Sequence, residues 1–251
     1  MFRYGYAGLL FASSFCWAES LVNLDYEKRN SEEDKQGYQL IVESGVNETF
    51  ISLVDELFPF KHPISVIYGS SSDDGPYYDP EIHTIYIPYV FVLEAKHYFS
   101  EHRSEPDANQ GAVDTLMHTL LHEAGHALVE DNAIPVLGKE EDAVDNLASI
   151  VMLNYLDEGQ NATLNAADMF DYESESGGEY YDYAEYAGVH SFDLQRYFAT
   201  LCLVYGSDPK ENQGLLDEIE DEYLADQQDT CEETYHQLYE NWHRYLNDSS
   251  S

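Results

Sequence analysis

Residues 111–130 read GAVDTLMHTLLHEAGHALVE, and the rest of the chain is best understood outward from them. Val113, Leu116, Met117, Leu120, Leu121, Ala124 and Leu128 recur at spacings of three and four, which predicts an α-helix with a buried stripe. Within that stripe lies His122-Glu123-Ala124-Gly125-His126, an H-E-x-x-H motif. The i, i+4 spacing sets two imidazoles one turn apart on one face, within reach of a single metal ion. Glu123, rotated by about 100°, can reach a water on that ion. The composition of the chain would produce roughly 0.04 such motifs by accident. A solvated surface helix would also not surround two histidines with aliphatic residues, so a metal site is the better reading than two unrelated histidines. His118 extends the stripe but lies about 12 Å along the axis from His126 at 1.5 Å per residue, too far to share one ion.

A catalytic zinc site takes three protein ligands and keeps one position open. Downstream, the run Glu140-Glu141-Asp142-Ala143-Val144-Asp145 opens a second helical pattern, over 139–157. Glu141 and Asp145 share one face, continued by the small Ala148, so this helix can fold back closely on the first. Glu141 is the favoured third ligand, with Asp142 and Glu140 as rivals. Asp145 is placed to accept a hydrogen bond from the far nitrogen of a ligand histidine and hold its ring. For the oxyanion of a tetrahedral intermediate the candidate is His190, which precedes a third amphipathic stretch over 190–205. Asp193 and Arg196 follow it at i+3 and i+6, so Asp193 would support a charged His190 imidazole and Arg196 would sit in an ion pair inside the fold.

At this point the chain resembles a bacterial metallopeptidase family catalogued as a domain of unknown function. The resemblance is carried by HEAGH followed by GKEEDAVDNLAS, by PYYDPEIHTIYIPY upstream and by HSFDLQRYFATLCLVYGSDP downstream, and it covers residues 39–246. More distantly, HExxH plus ExxxD looks like the gluzincin arrangement. The resemblance implies a zincin-like α+β domain with His122, His126 and Glu141 on zinc and Glu123 as general base. It further implies Asp145 behind a ligand histidine and the HTIYIPY strand along the substrate cleft. The gap before Glu141 is shorter than in most gluzincins. The function expected is a zinc peptidase, in which Glu123 takes a proton from water and returns it to the leaving amine. The competing expectation is an inactive metal-holding or protein-binding module on the same fold, which four protein ligands closing the site would favour.

Charge bounds the partners. Forty-nine Asp and Glu face 11 Lys and Arg, a formal net charge of −38. Such a surface repels phosphate backbones and anionic membranes, so nucleic-acid binding is excluded, and cationic peptides are the substrates it would attract. Twenty-two Tyr and 11 Phe give the chain enough apolar surface for a core, unlike a disordered acidic tail. Residues 1–18 have the anatomy of a cleaved export signal: Arg3, an uncharged stretch, and small residues at its end. No later segment reads as a membrane span. With Cys16 removed, Cys202 and Cys231 remain, and an even pair in an exported protein predicts a disulfide. The protein is therefore expected to be a secreted or periplasmic monomer.

The remaining pattern predicts a polar arm over 19–37, then one α+β domain over 38–251, a small sheet packed on the HExxH helix with a mostly helical C-terminal part. Strands are expected at 38–42, 64–68 and 83–91, with Pro88 marking the last as an edge or as the strand's end. A helix is expected at 47–58, loops at 70–79 and 168–185, and further helices over 215–246. Calcium binding by Asp73-Asp74 lacks the EF-hand spacing.

Overall fold

The computed structural model describes residues 20–70, 75–175, 186–219 and 221–247. The expected export signal, the Asp73-Asp74 pair and the tyrosine-rich residues 176–185 lie outside the described residues.

The fold is α+β. Four strands form one mixed sheet in the order β1-β2-β4-β3. Strands β1 (Val22–Tyr26), β2 (Ile64–Gly69) and β4 (Thr84–Pro88) run parallel, and β3 (Tyr77–Asp79) runs antiparallel to β4. Parallel neighbours require crossover connections. Between β1 and β2 the crossover is a pair of helices, α1 (Glu32–Ser44) and α2 (Val46–Leu57). Both inner strands bury side chains: Ile64, Val66 and Tyr68 of β2 and Ile85 and Ile87 of β4 have no exposed surface. Helices α3 (Phe91–His102), α4 (Glu105–Asn132), α5 (Glu140–Tyr155), α6 (Gly159–Glu175), α7 (Asp193–Ser207) and α8 (Asp221–Trp242) complete the described elements.

Four expectations are corrected here. Residues 20–37 are not a loose arm: they hold β1, registered against β2, and the first turns of α1. The expected strand at 38–42 lies inside α1. Its run YQLIV looks extended on its own, but the Ser31 hydroxyl accepts from the Asp34 amide, and the Asp34 carboxylate accepts from the Ser31 amide at 3.0 Å. This capping box starts a helix, and Gly45 at φ 72° ends it in the left-handed conformation. The expected loop at 70–79 contains β3. This short strand, not the 83–91 segment, is the sheet edge beside α4, because β4 is flanked on both sides. Pro88 is tolerated there because it is the last residue of β4, where the ladder ends. Finally, 168–175 is the last part of α6 rather than a loop.

Helix α4 is the axis of the molecule. Ala112, Leu116, Leu120, Leu121, Ala124, Ala127 and Leu128 are fully buried, and the polar Thr115, His118, His122 and Glu123 are buried with them. A helix buried on most sides must satisfy or use every polar group it carries. Helix α5 reaches α4 at Gly125. A Cβ on Gly125 would stand 2.9 Å from Val144 Cβ and 3.3 Å from Leu147 Cδ2, so the missing side chain is what lets the two helices approach. Gly111 does the same for the Phe99 ring of α3.

At the C-terminal end, α7 and α8 pack together and are joined by the Cys202–Cys231 disulfide, with Cα atoms 4.8 Å apart and a separation of 29 residues. Gly206 faces the Cys231 carbonyl, which a Cβ would meet at 2.4 Å. Loop closure over about 29 residues corresponds to about 3 kcal/mol on the chain-entropy account. Reduction is therefore expected to lower the unfolding free energy by about that amount in denaturant titrations with and without reductant. A loss below about 1 kcal/mol would show that the reduced chain is held near the same geometry by other contacts. The disulfide is consistent with an extracellular, oxidising location. Among the described residues, no helix is long and apolar enough to cross a membrane.

Candidate metal centre

His122 and His126 sit one turn apart on α4, and their Nε2 atoms are 3.2 Å from each other. The far nitrogen of each ring is committed elsewhere. His122 Nδ1 lies 2.7 Å from Asp145 Oδ1, and His126 Nδ1 lies 2.8 Å from Glu140 Oε1. A carboxylate only accepts, so in each pair Nδ1 carries the proton. In the neutral rings both Nε2 lone pairs therefore point to the space between them. Glu141, on the first turn of α5, closes that space: its Oε2 is 3.2 Å from His122 Nε2 and 3.4 Å from His126 Nε2.

His190 comes from the segment before α7, and its Nε2 stands 2.9 Å from the same Glu141 oxygen. Its ring stacks near His122 at a centroid distance of 6.3 Å, and its side chain is 52% exposed. Although three imidazoles converge on it, Glu141 Oε2 is buried and none of the three is directed to hydrogen-bond it. A buried carboxylate oxygen facing nitrogen lone pairs without a hydrogen bond fits a set of donors arranged for a cation rather than for one another. Two imidazoles and a carboxylate suit zinc and its neighbours in softness. His122, Glu141 and His190 form a group whose ligand atoms all lie within 4.8 Å of one another.

The electrostatics of the site follow from burial and pairing. Burial opposes charge on His122, but Asp145 and Glu141 outweigh it and push the ring up to about 9 without an ion present. The approach of His122, then His126 and His190, holds the Glu141 carboxyl well below the usual carboxylate range. Asp145 also lies well below its ordinary value, because His122 and Arg196 overcome its burial. Glu123 behaves differently. Burial raises its pKa, the Glu141 charge adds to the shift, and His122 and His126 counter only part of it.

The residues expected from sequence fall as follows. His122, Glu123, His126 and Glu141 line one cleft of about 640 Å³, together with His190, Glu130, Glu140 and Pro76, Tyr77, Tyr78 and Pro80 of the β3 region. Asp145 is behind His122, and Arg196 grips Asp145 through Nε at 2.8 Å and Nη2 at 3.0 Å. Asp193 and His190 are joined by no hydrogen bond or ion pair among the described residues; His190 turns to Glu141, and its carbonyl accepts from Lys139 Nζ at 2.8 Å. Glu140 supports His126. Asp142 lines a different cavity, with Asp145 and Arg196. His118 is buried a turn behind His122, its ring 6.5 Å away and outside the metal-ligand group. Sequence reasoning missed β3, whose Tyr78 hydroxyl donates to Glu130 Oε2 at 2.7 Å across the cleft. It also missed Glu173, one carboxylate among many in an acidic stretch.

Comparison with known proteins gives one match. The sequence model of the family DUF4344, described as "Putative metallopeptidase", matches residues 26–246. No curated protein and no solved structure matches the chain.

Proposed function

The chain belongs to the DUF4344 metallopeptidase family, and from that premise we propose that it is a zinc-dependent peptidase with His122, His126 and Glu141 as metal ligands and Glu123 as general base. The observation that carries the reading is the tautomer locking: Asp145 and Glu140 accept hydrogen bonds from the two Nδ1–H groups, leaving two Nε2 lone pairs facing Glu141 Oε2. A zinc ion held there would supply a Lewis acid for the substrate carbonyl and lower the pKa of water to near 7.

The chain's own groups supply the rest. Glu123, buried with a raised pKa, is suited to accept a proton from water and pass it to the leaving amine. Asp145 fixes the His122 ring, and Arg196 fixes Asp145. His190 is half exposed at the mouth of the cleft, where its Nε2 can turn to a developing oxyanion. β3 is the strand at the cleft side of the sheet, and an extended peptide would lie along it as an added strand. We read the architecture as zincin-like, the chain from residue 20 onward, with β1 and α1 included, as one domain acting as a monomer, and the protein as exported through its first 18 residues. The acidity of the chain favours cationic peptides.

One observation favours the second reading, an inert metal holder: His190 Nε2 lies within the metal-ligand group and could close a fourth position. The test is to strip the protein with chelator, re-add zinc and follow cleavage of a peptide pool by mass spectrometry. Hydrolysis should vanish on stripping and return with stoichiometric zinc. Stoichiometric binding with no hydrolysis would leave the inert holder, and absence of metal binding would overturn both readings.

A further inference from the structure

Behind His122 the cleft continues into a second cavity of about 140 Å³ among α3, α4 and α6. Both spaces are lined by His122, Glu123 and His190, so a group entering the second does so beside the reacting bond. One side of it is apolar, with Phe91, Ala166, Met169 and Phe170. Its polar groups include His118, Thr119 and Glu173.

His118 and Thr119 have capacity left for a ligand. His118 is only 4% exposed, burial pushes it down to about 4 and so keeps it neutral, and its Nε2 has no hydrogen-bond partner. A desolvated nitrogen without a partner at the wall of a cavity calls for a ligand group or a water. The Thr119 hydroxyl already donates to the Thr115 carbonyl at 3.0 Å, so what remains is its capacity to accept. Glu173 contributes a carboxyl. Arg196 also borders the cavity, but its guanidinium is held in two hydrogen bonds by Asp145 and lies 3.9 Å over the Phe170 ring. Burial, then the Asp193 charge, push Glu173 up to about 7, and Arg196 offsets this only in part.

Phe91, Met169 and Glu173 also line the next cavity along, about 560 Å³, where Glu33 and Glu94 continue the acidic wall. The cleft is thus the start of a track in which the carboxylates past the metal ligands are set against apolar walls. Apolar walls suit the methylene stem of a long side chain, and a carboxylate suits its charged end.

We propose that the 140 Å³ cavity is the specificity pocket of the enzyme, that it receives the side chain next to the scissile bond, and that Glu173 selects lysine or arginine there. The proposal rests on the peptidase reading above. Its test uses matched peptides that differ only in lysine against norleucine, or arginine against citrulline, at each position flanking the cleaved bond. Wild type should favour the charged member in kcat/KM by about tenfold or more, and Glu173→Gln should cut that ratio by about tenfold. Glu173→Asp should give an intermediate ratio, and Glu173→Lys should shift preference toward glutamate. Thermal unfolding checks that each variant folds.

Binding of the same peptides to Glu123→Gln, read by fluorescence anisotropy, separates the two layers. Cleavage with no preference for charge, or with a preference that Glu173→Gln leaves intact, overturns the pocket and spares the peptidase. Absence of cleavage overturns the peptidase. The pocket then stands if lysine peptides still bind better than norleucine peptides and Glu173→Gln, introduced into the same protein, removes the difference. It falls if they do not.

Discussion

Glu123→Gln is expected to lower peptide hydrolysis by about a hundred- to ten-thousandfold while metal content stays near that of wild type, as kcat/KM and elemental analysis would show. Gln keeps the shape of Glu and removes its capacity to take a proton, so the loss reports general-base chemistry rather than repacking. Metal content should hold because Glu123 is not one of the groups converging on Glu141 Oε2. A second readout follows from burial. A carboxyl whose folded pKa is raised above its unfolded value binds more protons in the folded state, so its contribution to stability falls as pH rises through that window. Above that window the metal-free wild type carries the cost of an ionised buried Glu123, which the variant lacks. The denaturant midpoint of the metal-free variant should be no lower than that of wild type. A variant that loses activity together with metal and stability would instead mark Glu123 as a structural residue.

What could be read from the sequence was whatever had a period or a fixed local spacing. His122 and His126 declare themselves because i, i+4 within an apolar helix has few meanings, and Glu141 with Asp145 repeats that spacing on the next helix. Which histidine Asp145 would meet was not legible; in the structure its Oδ1 lies 2.7 Å from His122 Nδ1. What could not be read depends on chain segments far apart. Tyr77–Asp79 is too short to show alternation, and only its pairing with β4 makes it a strand and places it over α4. Residues 38–42 misled because local β propensity was weighed without the Ser31–Asp34 cap seven residues upstream, which commits the backbone to a helix. His190 reaches Glu141 from 49 positions away through the packing of α7 against α5, and no spacing rule predicts that. Glu173 was hidden by its own composition: in an acidic stretch, only the cavities it lines distinguish it from its neighbours.

The largest expected effect on stability lies behind the metal ligands. Arg196→Met should lower the unfolding free energy by about 3–5 kcal/mol, measured by chemical denaturation of the metal-free protein. The Arg196 and Asp145 side chains are only 16% and 10% exposed, and the guanidinium meets both carboxylate oxygens while covering the Phe170 ring. Methionine can keep the contact with Phe170, so the loss is mainly that of leaving Asp145 ionised in the interior, with the His122 ring still hydrogen-bonded to it. Surface pairs cost about 1 kcal/mol or less to break, so a loss of that size would show the pair to be screened by solvent. Adding Asp145→Asn removes the stranded charge, and the double variant should be less destabilised than the sum of the two single variants. On the proposed reading the same pair would also govern the metal. Asp145 accepts from His122 Nδ1 and so would leave Nε2 for a cation, and groups in that position typically contribute about ten- to a hundredfold in metal affinity. Arg196→Met should therefore weaken zinc binding without touching any ligand. Asp145→Asn should weaken it too even where the double variant recovers stability, because an amide cannot hold the His122 proton as a carboxylate does. Recovery of stability without recovery of metal affinity would separate the two duties of the Arg196–Asp145 pair, one to the core and one to the metal site.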